Sequence, residues 1–221
     1  MNQKNLLESG VRRLGCYDTE KVGTLRKYIA ELELWNRRHN LVRAEGDDLI
    51  IRHILDSLAG MAVLEDLCRR LQPERSDGIK IADIGSGAGL PGIPLAIWMD
   101  WCRFYLVEKS GKRCSFLRNA SALCGLQHCK VYCGPAEDSA ELFDLCVFRA
   151  LGDFQAYLRM LSDVTAPDGY IAAYKGKRAA VDAETAELPA GWELTAVLPL
   201  AVPFLEEERH LVVLSRTNSA G

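Results

Sequence analysis

The residues with the most chemistry to offer stand together at Ile81-Ala82-Asp83-Ile84-Gly85-Ser86-Gly87-Ala88-Gly89-Leu90-Pro91-Gly92. A short apolar run enters three glycines spaced two apart, and a helical pattern leaves them. Glycine tolerates positive φ and lets backbone approach a ligand closely. A glycine turn at the carboxyl end of a strand is the usual ligand site of an open α/β sheet. The spacing Gly85-x-Gly87-x-Gly89 differs from the G-x-G-x-x-G of pyrophosphate binders. Asp83, just ahead, would repel a pyrophosphate and favours a cationic ligand. Asp83, Gly85, Gly87 and Gly89 are therefore candidate binding residues, set against a turn that holds nothing. Glu108 closes the next apolar run. An acid ~20 residues beyond such a loop can accept hydrogen bonds from both ribose hydroxyls, although strand ends are often charged for solubility alone. Ala136 and Glu137, after the third run, stand where an adenine could meet backbone and a polar side chain.

Cations gather near the same place. Lys109, Lys112, Arg113 and Arg118 follow Glu108, Arg149 follows the fourth strand candidate, and Lys175, Lys177 and Arg178 follow the fifth. Three successive strand ends thus carry positive charge on one rim. Arg37, Arg38, His39, Arg43, Arg52 and His53 add more from the N-terminal part. In a chain of net charge -3, such clustering suggests a polyanionic substrate, while any single cation can be a solvated surface residue. Of the 27 Lys and Arg residues 18 are Arg, the residue suited to phosphate and base edges. The substrate candidates are Arg37, His53, Lys112, Arg113, Arg149 and Lys175, with Arg149 and Lys175 as positioning residues. His53, Asp56 and Ser57 share one helical face. No G-x-S-x-G nucleophile motif accompanies them, so a structural or positioning role is preferred to a catalytic relay.

These residues need a frame. From residue 79 on, apolar runs at 79–84, 104–108, 130–133, 145–148 and 170–174 alternate with helical patterns around 94–99, 111–124, 137–142 and 154–165. That alternation predicts an α/β fold with a mostly parallel sheet and helices on both faces. Runs at 194–200 and 210–215 are separated by a short turn region, which predicts an antiparallel C-terminal edge pair and seven strands in all. The first ~75 residues read as helices instead, with Leu25, Tyr28, Ile29, Leu32 and Trp35 on one face. Asp47 and Asp48 can open a further helix running to Ala59. The turn-rich stretch 73–78 is the junction. Residues 1–221 are expected to form one domain, helical over 1–75 and a binding core over 76–221.

The 221 residues are 48% hydrophobic and 26% charged, ordinary for a globular domain and too apolar for a disordered chain. Charged residues such as Arg159 and Asp168 interrupt every apolar run before the ~18–20 residues of a membrane span. The polar residues 1–10 lack the apolar stretch of a signal peptide. A cytoplasmic protein without a membrane partner is expected. The slightly acidic balance excludes a general basic coat for nucleic acid but not a local patch. The eight cysteines form no C-x-x-C pair, and Cys124, His128, Cys129 and Cys133 do not fit zinc-knuckle spacing. No metal is expected, and the thiols read as small buried hydrophobes in reduced cytosol.

The run Asp83-x-Gly85-x-Gly87-x-Gly89 resembles the S-adenosylmethionine loop of class I methyltransferases, whose ligand carries an ammonium and a sulfonium. It stands with Leu34-Trp35-Asn36, Asn40-Leu41, His53-x-x-Asp56-Ser57-Leu58, Leu90-Pro91-Gly92-Ile93-Pro94, Gly111-Lys112-Arg113-x-x-Phe116-Leu117, Arg149-Ala150 and Lys175-Gly176. Together these resemble the glucose-inhibited division protein B family, the bacterial ribosomal RNA small-subunit methyltransferase G, over nearly the whole chain. The resemblance implies a Rossmann-like class I fold with a helical N-terminal extension. It implies methyl transfer from S-adenosylmethionine to N7 of one guanine in 16S ribosomal RNA, with the RNA or the small subunit as partner; separately, a monomer is expected. It also implies cofactor contacts at Gly85, Leu90, Ala136, Glu137 and Arg149. Two positions depart from the family pattern: Val42, where Thr is usual, and Phe148, where a small hydroxyl residue is common and where the pocket beside Arg149 could change.

Guanine N7 has an in-plane lone pair and no proton, so it can attack a sulfonium methyl without a general base. Proximity and alignment, worth up to ~7–11 kcal/mol, then carry the acceleration, and no separate base is expected. Amine methylation would suggest an Asn/Asp-Pro-Pro-aromatic loop where this chain has Phe148-Arg149-Ala150-Leu151. Pyrimidine C5 methylation would need a cysteine nucleophile, and Cys146 lies mid-strand. The competing readings are a methyltransferase for a small molecule or another RNA position, and a non-catalytic RNA-binding assembly factor that retains the fold. An NAD-dependent oxidoreductase is disfavoured by Asp83 and the glycine spacing.

Overall fold

In the computed structural model, which describes residues 3–149 and 154–217, seven strands form one sheet in the order β3-β2-β1-β4-β5-β7-β6. They are β1 (Lys80–Ile84), β2 (Arg103–Glu108), β3 (Cys129–Cys133), β4 (Phe143–Arg149), β5 (Thr165–Lys175), β6 (Trp192–Pro199) and β7 (His210–Arg216). The first five pair in parallel, and β7 runs antiparallel to both β5 and β6. The chain moves outward from β1 to β3 and then returns to the other side of β1. This reversal opens a crevice at the carboxyl ends of β1 and β4, where open α/β sheets bind ligands.

Strand alternation divides the apolar residues between two faces. Ile81, Leu106, Val147 and Leu211 pack under the N-terminal helices. Those are α1 (Gln3–Arg13), α2 (Thr19–His39), α3 (Gly46–Leu49), α4 (Asp56–Ala59) and α5 (Met61–Leu71), with a π-helix over Ile50–Leu55 between α3 and α4. The same cluster takes in α6 (Gly92–Trp98) and α7 (Gly111–Leu123). Ile84, Val107, Phe148 and Val212 face the other way, towards α8 (Phe154–Leu161) and α9 (Arg178–Thr185).

The N-terminal helices are anchored to the glycine loop itself. Asp18 caps α2 by accepting from Lys21 N at 2.9 Å, and Asn40 ends it in the left-handed region at φ 50°. Between these ends the Tyr28 hydroxyl donates to Ala88 O at 2.6 Å. Leu25, Tyr28 and Leu32 are fully buried. At ~1.5–3 kcal/mol per buried side chain, this face holds α2 against α6 and α7, with Tyr28 reaching the loop.

Several boundaries differ from expectation. Residues 137–142 form no helix beyond a 3-10 turn at Ala136–Asp138, because the segment has no apolar stripe and Lys80 pairs with Glu141. Helix α8 stops at Leu161, and Thr165 already belongs to β5, opposite Phe143. The sequence reading assigned no element between Lys175 and the run at 194–200, and α9 stands there. The cysteines also need correction: Cys114 of α7 and Cys133 of β3 are joined by a disulfide, and Cys133 is exposed. His128 Nε2 lies 2.9 Å from Ala96 O. Among the described residues no helix is long and apolar enough to cross a membrane.

Candidate functional site

The loop after β1 turns through Gly85, Gly87 and Gly89 at φ 70°, 60° and 84°, a region that side-chain-bearing residues rarely enter. Asp83 lies beneath it, 1% exposed. Its Oδ2 accepts from Ser86 Oγ at 2.6 Å and from Gly92 N at 3.0 Å. A Cβ on Gly92 would stand 2.5 Å from that oxygen. Burial pushes the Asp83 carboxyl up to about 6, against the pull of those two hydrogen bonds. Its Oδ1 has no partner among the described residues. Asp83 therefore braces the loop from inside and leaves a buried negative charge under it at neutral pH.

Glu108, at the end of β2, accepts from Gly87 N at 2.9 Å and from Ser110 N at 2.8 Å. It borders a cavity of about 210 Å³ lined by Ile84, Gly85, Val107, Glu108, Lys109, Arg113, Gly134, Ala136, Tyr157 and Met160. The walls are mostly apolar, with one carboxylate at hand and glycine backbone on two sides. That combination suits an adenosine: flat surfaces for the base and an acceptor for the sugar hydroxyls. The volume falls below the ~300–1,000 Å³ of whole small-ligand pockets, so the cavity can hold one end of an S-adenosylmethionine, with the charged end near the Asp83 loop.

A second cavity of about 520 Å³ lies between the N-terminal helices and the ends of β4 and β5, lined by Arg52, His53, Asp56, Arg149, Tyr174, Lys175, Gly176, Glu184 and Arg209. Asp56 is its fulcrum. Arg149 Nη1 meets Asp56 Oδ2 at 3.1 Å and donates to Arg52 O at 3.2 Å, and Arg209 Nε stands 3.3 Å from Asp56 Oδ1. Burial pushes the Asp56 carboxyl up, and the two arginines oppose that push. Arg149 Nη2 donates to His53 Nδ1 at 2.8 Å. Burial, then Arg149 and Arg209, hold His53 down at about 4, so its ring is neutral at pH 7. His53 lies in the π-helix, and Asp56 opens α4 directly after it. Such irregular turns recur at functional sites. Lys175 pairs with Glu184 at 2.5 Å and lies 4.2 Å from the Phe154 ring centre.

The structure thus sorts the expected residues. Gly85, Glu108 and Ala136 line the first cavity, whereas Gly87 and Gly89 shape its loop. Leu90 is buried in the core and Glu137 is exposed, and neither borders the cavity. Arg149, His53 and Lys175 meet in the second cavity. Arg113 joins the first, 3.8 Å from Glu108. Arg37 and Lys112 are exposed and border neither. Ser57 gives its hydroxyl to His53 O at 2.6 Å, so no relay forms. Phe148 packs on the opposite face from Arg149, against Tyr157 of the first cavity. Val42 N donates to Asn36 Oδ1 at 2.9 Å, a bond independent of its side chain. Ala150 and Leu151 lie outside the described residues. Sequence reasoning missed Arg209, whose only signal is its place just before β7.

The family described as rRNA small subunit methyltransferase G matches residues 21–212. The chain is 37% identical to the ribosomal RNA small subunit methyltransferase G of Ralstonia nicotianae, over 95% of this chain and 93% of that one. It is 38% identical to the protein of the same name from Treponema pallidum, over 96% and 94%. Among solved structures, a SAM-dependent methyltransferase from Aquifex aeolicus superposes with TM-score 0.57 at 13% identity, over 85% of this chain and 98% of that one. An O-methyltransferase from Bacillus cereus in complex with SAH gives TM-score 0.52 at 15% identity, over 86% and 90%. At such identities these two likenesses speak for the fold alone, which is that of class I methyltransferases.

Proposed function

Because the chain belongs to the rRNA small subunit methyltransferase G family, a SAM-dependent enzyme acting on small-subunit ribosomal RNA, we propose that it methylates N7 of one guanine in 16S ribosomal RNA. The bound cofactor supplies an electrophilic methyl group on a sulfonium. Glu108 accepts from the ribose hydroxyls, and the apolar walls around Ala136 and Tyr157 take the adenine. Asp83 keeps the loop closed and favours the cationic end. Gly85 brings backbone close to the ligand.

The observation that carries the reading is the clamped Arg149. It ends β4, beside the loop after β1, and its guanidinium is fixed by Asp56, His53 and Arg52 O. Of five N–H groups, three are so engaged, and the other two have no partner among the described residues. They suit guanine O6 or a phosphate, with Lys175 and Arg209 beside them. Arg37, Lys112 and Arg113 extend the positive surface for the RNA backbone. His53 is held at about 4 and its Nδ1 accepts from Arg149, so it offers no effective base near pH 7, which agrees with N7 chemistry, where no proton must leave the attacking atom. The enzyme works as a cytoplasmic monomer on the RNA or the small subunit.

The test supplies labelled S-adenosylmethionine and unmethylated small subunits, with a metabolite extract in parallel, and maps the label. One 7-methylguanine is expected. Label on another base atom or on a small molecule would overturn the proposal.

A further inference from the structure

The Cys114–Cys133 disulfide lies beside the pocket assigned above to the cofactor. Arg113, next to Cys114, and Gly134, next to Cys133, both line that pocket. The bond straddles the end of β2. Cys133 is in register with Glu108, Gly134 N donates to Glu108 O at 3.0 Å, and Cys114 Sγ lies 3.2 Å from that same oxygen. The Glu108 side chain in turn holds the glycine loop through Gly87. Strand β3 is the sheet edge and is partly exposed along its length. Its last residue is therefore held by one neighbouring strand and by this bond to α7. Cys133 is exposed, whereas Cys114 is buried.

We propose that Cys114 and Cys133 form a reversible thiol–disulfide site, opened by a dithiol reductant, and that the oxidised form binds the cofactor more tightly. The proposal rests on the cofactor reading above. A reductant thiolate attacks the exposed Cys133 sulfur. The S–S bond breaks, and its electron pair leaves on Cys114, which takes a proton. The second reductant thiol then attacks the mixed disulfide and releases Cys133, which also ends protonated. Two electrons and two protons pass to the protein, and the reductant becomes a disulfide. Oxidised glutathione reverses the exchange. Disulfides in reducing compartments are mostly transient, redox-sensing or catalytic, and exposed ones are the labile ones. Once reduced, the Cys114 thiol can donate to Glu108 O, and the end of β3 loses its tie to α7. The pocket must then be ordered during binding, which weakens affinity.

The test uses the full chain equilibrated with dithiothreitol, a small dithiol, or with oxidised glutathione. Alkylation and mass spectrometry follow the two thiols, calorimetry measures S-adenosylmethionine binding, and thermal unfolding confirms that each sample is folded. The oxidised protein is expected to protect Cys114 and Cys133 from alkylation and to bind about 3- to 10-fold tighter than the reduced protein. Cys133→Ser should match the reduced protein in both buffers. Equal affinity in both states, or failure of the bond to form with oxidised glutathione, would overturn the proposal. No binding in any sample would overturn the cofactor reading, and this one with it.

Discussion

Arg149→Ala separates positioning from folding. The Arg149 side chain is 16% exposed and Asp56 only 3%. Removing one partner of a buried ion pair costs ~3–5 kcal/mol when the remaining charge is stranded. Asp56 is not stranded here, since Arg209 stays 3.3 Å from its other oxygen. Three hydrogen bonds are lost at ~0.5–1.5 kcal/mol each or somewhat more, a cost of about 2–5 kcal/mol, and a domain with ~5–15 kcal/mol of stability remains folded. The loss in the reaction is larger relative to its baseline. A forked contact to a guanine edge discriminates by ~1–3 kcal/mol, which is about 5- to 150-fold in kcat/KM. Arg149 does not line the adenosine-sized cavity, so S-adenosylmethionine affinity should hold. Arg149→Lys keeps the charge without the fork and should restore stability more than rate. The assays are denaturant unfolding, calorimetry with the cofactor, and methyl transfer to unmethylated small subunits. Wild-type kcat/KM in the alanine variant, or a rate loss fully matched by weaker cofactor binding, would refute the reasoning.

Glu108→Ala removes the acceptor for Gly87 N and Ser110 N. It also removes the proposed acceptor for the ribose hydroxyls, and at ~1.5–3 kcal/mol per hydrogen bond to a charged group, calorimetry should record cofactor affinity weaker by at least about tenfold. Gly92→Ala places a Cβ 2.5 Å from both Asp83 Oδ2 and Leu106 Cδ2, and thermal unfolding should report the ~1–3 kcal/mol of an overpacked core. His53 and Asp83 act oppositely on acid stability. His53 falls from 6.5 to about 4 on folding, so the unfolded chain binds the extra proton and stability drops by up to ~3 kcal/mol as pH falls across that window. Asp83 rises from 3.8 to about 6, so the folded chain binds the extra proton and regains a similar ~3 kcal/mol over nearly the same window. Unfolding of the wild type should vary little from these two groups between pH 6 and 4. His53→Asn should gain stability on acidification, and Asp83→Asn should lose it.

The strands were legible because each is a short apolar run bounded by a turn, and in β1, β2 and β4 burial on both faces leaves little polar content to confuse the period. Residues 137–142, and the last residues of the helix expected over 154–165, failed for the same reason seen from the other side. A few apolar residues in a polar segment fit a helical face by spacing alone, and only tertiary partners decide. Glu141 follows Lys80, and Thr165 follows the β4 ladder at Phe143. The disulfide was invisible because Cys114 and Cys133 share no motif. Only the parallel pairing of β2 with β3 brings the end of β3 beside the first turn of α7, the helix that precedes it.

The site was legible where it obeys strand polarity. In a parallel sheet every strand delivers its carboxyl end to the same rim, so Glu108, Arg149 and Lys175 could be found by reading the residue that closes each run. Arg209 breaks that rule for a physical reason. Strand β7 inserts antiparallel between β5 and β6, with His210 opposite Lys175, so it delivers its amino end to the rim. The residue to read there is the one before the strand, and that residue is Arg209. The predicted antiparallel edge already contained this information. An expected reversal of direction obliges the search for charged groups to reverse with it, and here that step adds the second cation that Asp56 holds.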